Sequence, residues 1–157
     1  MVMDKKTLKQ LTTKIYEEYG FIKKGKYYYL DLDEILICSG FASMHGITYL
    51  AYNFSVKAVH KPEEYKQNDM FDGFDSFQEQ IYFDKDAQGY HKKEICVDEW
   101  TEDYYSSNLK DLLHYYFDPY KEFGLNWVIR TYKEIGLVHK NEIISLSWNA
   151  KEFLKIE

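Results

Sequence analysis

Arginine is nearly absent from this chain: one residue, Arg130, stands against 19 lysines. Nucleic-acid-binding surfaces ordinarily carry an arginine-rich basic stripe, and helix periodicity spreads Lys5, Lys6, Lys9, Lys23, Lys24 and Lys26, so a nucleic-acid module built on those lysines is the least favoured reading. There are only two prolines and two cysteines. Cys38 and Cys96 each sit inside an apolar, strand-like run, have no CxxC spacing for zinc, and are too few for a disulfide framework. No apolar run approaches the roughly 20 residues that span a bilayer, which argues against a membrane protein. The first residues, Met1 to Thr7, lack the apolar core of a secretory signal, so the expected location is cytoplasmic. No GxxxxGKS, GxGxxG or GxSxG frame occurs, and five scattered histidines (His45, His60, His91, His114 and His139) form no HxH or HExxH pair. No cofactor, metal site or catalytic residue is therefore expected from local motifs.

What the chain does have is 45% apolar and 29% charged residues over 157 positions, suited to one soluble domain spanning residues 1–157. It is also rich in tyrosine, with 16 residues. An A/T-rich coding sequence accounts for much of the lysine and tyrosine excess, but the rings still need places in the fold.

The longest regular signal is Ile47 to Val59. Leu50, Tyr52, Phe54, Val56 and Ala58 point one way, and Tyr49, Asn53, Ser55 and Lys57 the other. A period of two over that length predicts a strand with one face on a core and one in polar surroundings. Before it, Tyr27 to Leu32 and Ile35 to Ser39 read as two shorter strands, making an antiparallel meander. Further on, Gln80 to Phe83 and His91 to Val97 read as a second pair.

Helical spacing frames these strands. Leu8, Leu11, Ile15 and Tyr19 form a stripe, with Asp4 as its N-cap and Gly20 as its C-terminal stop. Tyr105, Leu109, Leu112, Leu113 and Tyr116 predict a helix ended by Pro119. Trp127, Val128, Tyr132 and Ile135 predict a shorter one stopped by Gly136. Ile143, Leu146, Ala150 and Phe153 or Leu154 predict a last helix, capped by Asn141. The expected fold is α+β: a single antiparallel sheet of four to six strands packed by an N-terminal helix and C-terminal helices.

The run Gly20-Phe-Ile-Lys-Lys-Gly-Lys-Tyr-Tyr-Tyr29 follows an amphipathic helix and precedes two strands. This arrangement resembles the bacterial family described as domain of unknown function 4304, over residues 1–60. The resemblance implies a small α+β domain, a bacterial source and no assigned activity, and it transfers no site residues. The chain departs from the family's Gly-Phe-x-Lys-Lys-x-Gly pattern by placing Lys24 directly before Gly25.

Charge is unevenly distributed. Residues 1–30 carry +4, while residues 60–103 hold thirteen acids against five lysines, a net −8. Such a segment steers a basic partner at a rate that falls with salt. Within it, Asp69, Asp72 and Asp75 recur at spacing three, which misses the alternate-position ligands of a calcium loop and reads as an acidic surface loop. Asp98-Glu99 and Glu102-Asp103 read as acids drawn to a helix N-terminus. If helices leave one face of the sheet open, Tyr27 or Tyr29, Tyr49, Asn53 and Ser55 form an exposed aromatic–polar patch.

The leading expectation is a non-enzymatic domain that binds a basic protein through this acidic, tyrosine-rich surface, for instance an immunity-type protein that neutralises a toxin. The alternative is a small-molecule or carbohydrate-binding domain, or an enzyme, with its site on the polar face of the sheet.

Overall fold

A computed structural model describes residues 3–44, 46–59, 79–81, 83, 94–133 and 148–155. The chain begins with helix α1, Lys5–Tyr19. Asp4 caps it by accepting from the Thr7 amide at 2.7 Å. Gly20 closes it at φ 127°, a backbone shape that a side chain resists, with its N–H on the Tyr16 and Glu17 carbonyls. Leu8, Thr12, Ile15 and Tyr16 form the buried stripe; of the predicted stripe Leu8 and Ile15 are buried, while Leu11 and Tyr19 are partly buried against the core.

Among the described residues five strands follow: β1 (Ile22–Lys24), β2 (Tyr27–Asp31), β3 (Ile35–Met44), β4 (Ile47–Val56) and β5 (Glu79–Ile81). They lie in sequence order in one sheet, each pair antiparallel. The α+β expectation holds, with strand number inside the predicted range. Several strand limits differ from the sequence reading: β4 ends at Val56 rather than Val59, β2 at Asp31 rather than Leu32, and β5 covers Glu79–Ile81 rather than Gln80 to Phe83. β1 was not anticipated; Ile22–Lys24 folds back on Tyr27–Tyr29 through a turn with Gly25 at φ 63°. β3 runs past Ser39 because β4 offers it a partner all the way from Val56 to Ile47. Residues 94–97 do not form the expected strand. Their backbone link to the sheet is the Ile95 N–H donating to the Thr48 carbonyl at 2.9 Å.

Helix α2, Glu102–Phe123, is capped by Thr101, whose hydroxyl accepts from the Tyr104 amide at 3.1 Å. It runs through Pro119 rather than ending there. A proline inside a helix costs about 3 kcal/mol. One residue later, Tyr120 is fully buried against Tyr52 and Phe54, and burying a ring of that size, with its aromatic contacts, is of comparable weight. Packing therefore carries the last turn through, and Gly124 at φ 55° stops it. α3 (Leu125–Lys133) and α4 (Trp148–Leu154) follow. The proposed stops and caps at Gly136 and Asn141, the apolar positions Ile135, Ile143 and Leu146, and the turn and loop readings from His60 to Asp75 lie outside the described residues.

The main core lies between the sheet and helices α1 and α2. Tyr16 stacks on Tyr28 at 4.5 Å between ring centres, Phe21 meets Phe117 edge-on at 5.2 Å, and Tyr52 meets Phe117 at 5.0 Å. Leu50, Tyr52, Phe54 and Val56 of β4 all belong to this side and are fully buried.

Candidate functional site

The opposite face of the sheet is not open. Tyr27, Tyr29, Tyr49 and Asn53 are at most 8% exposed, and Ser55 is fully buried. Register explains the grouping: Tyr29 pairs with Cys38, which pairs with Asn53, and Ala42 pairs with Tyr49. Tyr27, Tyr29, Cys38, Tyr49 and Ala51 form a second apolar cluster. Sequence reasoning took a polar residue type for an exposed position. Tyrosine, asparagine and serine are also buried readily where their polar atoms find partners. Tyr27, Tyr29, Tyr49, Asn53 and Ser55 therefore do not form a surface patch. Asp69, Asp72 and Asp75 lie outside the described residues.

Two other features gather chemistry. The first is a half-open cleft of about 560 Å³ between the start of α1, the β3–β4 turn and residues 94–99. Leu8 from α1, Phe41 from β3, and Ile95 and Val97 give it apolar walls. Lys5 and Lys9, one helical turn apart on the exposed side of α1, stand on one side. Glu94, Asp98 and Glu99 line the cleft from the segment 94–99, with Cys96 between them in sequence. The acidic side is shaped by a turn in which the Glu99 and Trp100 amides donate to the Cys96 carbonyl at 3.1 and 3.0 Å. Among the described residues, none of these five charges takes part in an ion pair. The Cys96 thiol is held above its usual range by partial burial and by the carboxylates of Glu94, Glu99 and Asp98, which makes it a poor nucleophile.

The second feature joins the end of α1 to α2. Tyr19 donates its hydroxyl to Asp118 at 2.6 Å. His114 Nδ1 lies 2.9 Å from the same carboxylate, one helical turn back. Lys121 sits over the Tyr19 ring, 3.7 Å from its centre, and donates to the Tyr19 carbonyl at 3.2 Å. Desolvation pushes the Asp118 carboxyl up, but the bonds from Tyr19 and His114 and the nearby cations outweigh it and hold it below the usual range. Burial, together with the Asp118 carboxylate, pushes the Tyr19 phenol well above its ordinary value. A phenol so raised stays protonated, so this cluster clamps two helices rather than supplying a nucleophile.

Sequence reasoning set aside both halves of the cleft. Lys5 and Lys9 were weighed as part of a nucleic-acid surface, and Asp98-Glu99 as helix capping. Thr101 takes the capping role instead, which leaves Asp98 and Glu99 available to the cleft. Among the described residues, no group of three or more histidine, cysteine or carboxylate side chains is placed to hold a metal ion. No helix among them is long and apolar enough to cross a membrane. Comparison with protein-family models, with curated proteins and with solved structures finds no match.

Proposed function

We propose that this protein is a non-enzymatic, cytoplasmic binding domain that holds a basic segment of another protein in the cleft beside α1. The observation that carries the proposal is the set of three carboxylates, Glu94, Asp98 and Glu99, free of ion pairs among the described residues, above an apolar floor. Long cationic side chains bury an aliphatic stem while keeping the charge at a polar rim, and this cleft provides both surfaces. Glu102 and Asp103 continue the acidic character along the exposed start of α2. An immunity-type role, neutralising a basic toxin, is the concrete version. Membership in the domain of unknown function 4304 family is part of the same proposal. Its support is α1 stopped by Gly20 and followed at once by the β1–β2 hairpin.

A small molecule is the second reading, favoured by a cleft volume within the ordinary ligand-pocket range. The test is capture by the tagged protein from its host at low salt, repeated with Glu94→Gln, Asp98→Asn and Glu99→Gln combined. One basic protein, lost from the variant and lost as salt rises, is the expected result. Capture that ignores both changes would remove the cleft from the proposal. An empty capture, combined with a thermal shift from a small ligand, would move the assignment to the second reading.

A further inference from the structure

Resting on the cleft as the binding site proposed above, we infer that the segment it holds is dipolar. Such a segment presents a cation to Glu94, Asp98 and Glu99 and an anion to Lys5 and Lys9, across an apolar middle.

The two sides of the cleft carry opposite charge and come from different parts of the chain. Lys5 and Lys9 are spaced four apart on α1, so both stand on one helix face. They belong to the N-terminal half of that helix, where the aligned peptide dipoles add to the positive potential. Asp4 already occupies the cap, with its carboxylate on the Thr7 amide, so the positive side rests on the lysines rather than on free helix amides. The acidic side is fixed by a turn and by the Ile95–Thr48 backbone bond. Leu8 of α1 and Phe41 of β3 line the same cleft as these charges.

Among the described residues, no ion pair crosses the cleft, although both signs line it. A purely cationic guest gains from the carboxylates but is repelled by the lysines. A guest with one charge of each sign gains on both sides, and an apolar residue between them meets the floor. Each ion pair here is partly exposed, so each is worth a modest factor rather than a large one.

The probe is a capped tetrapeptide, acetyl-Lys-Leu-Leu-Glu-amide, titrated into the full-length protein and followed by amide shifts. Two companions replace the lysine by norleucine or the glutamate by glutamine. Saturable shifts on both sides of the cleft are expected, with each companion about threefold weaker. Lys5→Gln with Lys9→Gln should abolish the preference for glutamate over glutamine and leave the preference for lysine intact. Neutralising the three acids should do the reverse. All of these positions are exposed or half-buried, and unchanged amide spectra of the unbound variants check that they fold. A glutamine peptide that binds as tightly as the glutamate peptide overturns the dipolar inference while leaving the cleft as the site. Absence of saturable binding by any peptide, with partner capture also unaffected by the acid substitutions, overturns both. Binding of free 6-aminohexanoate equal to the peptide's transfers the site to a small zwitterion and overturns the choice of a protein segment.

Discussion

The Tyr16 hydroxyl meets Ser39 Oγ at 2.8 Å, and Ser39 in turn donates to the Ala51 carbonyl at 2.7 Å. Because the serine proton is committed to Ala51, the tyrosine must be the donor to Ser39. This chain of bonds carries α1 through β3 to β4 with no exposed member. Ser39→Ala leaves the Tyr16 hydroxyl buried without that acceptor and is expected to cost about 1–3 kcal/mol in chemical unfolding. Adding Tyr16→Phe removes the stranded group, so the double variant should lose less than the two single losses together. Simple additivity would mean the two hydroxyls are not coupled.

Tyr27 and Gly40 are coupled by shape. A Cβ at Gly40 would lie 2.7 Å from Cδ1 of the Tyr27 ring. Gly40→Ala should therefore destabilise the protein by about 1–3 kcal/mol, as overpacking does. In a Tyr27→Ala background the same change should be close to neutral. An equal loss in both backgrounds would assign the effect to the backbone of β3 instead.

The Tyr19–Asp118–His114 cluster makes a pH prediction. The Asp118 carboxyl is held below its ordinary value in the folded protein. Its contribution is therefore complete above the usual carboxylate range, about pH 4, and is lost as pH falls through the lowered value. Tyr19→Phe removes one of the bonds holding it down, so its titration midpoint, followed by NMR, should move upward. An unmoved midpoint would show that the Tyr19 bond does not act on this carboxylate.

The two thiols should differ. Burial pushes the Cys38 thiol up to about 12, and the residue is fully buried. Cys96 is half-buried, and partial burial and its acidic neighbours restrain it. A thiol-labelling reagent at pH 8 is expected to modify Cys96 slowly and Cys38 only on unfolding. Neutralising Glu94, Asp98 and Glu99 should speed the labelling of Cys96. Rapid labelling of Cys38 in the native protein would contradict its placement in the second core.

Helix α1 was legible because its stripe, its cap at Asp4 and its stop at Gly20 are all local signals. The core side of β4 was legible for the same reason, since Leu50, Tyr52, Phe54 and Val56 alternate. The burial of Tyr49, Asn53 and Ser55 was not, because alternation records residue type and not what covers a face. Pro119 misled in the same way: a local breaker was overridden by the packing of Tyr120 on Tyr52 and Phe54. The cleft was hidden for a different reason. Lys5 and Lys9 meet Glu94, Asp98 and Glu99 only through the fold, and no spacing rule joins positions that far apart.

The β1 strand closes one side of the sheet with three exposed residues, two of them Lys23 and Lys24. A second copy docking its own β1 there would bring like charges together and could form few ladder bonds before the strand ran out. Along this margin, then, the protein is built to resist the edge-to-edge pairing by which sheets grow into fibres.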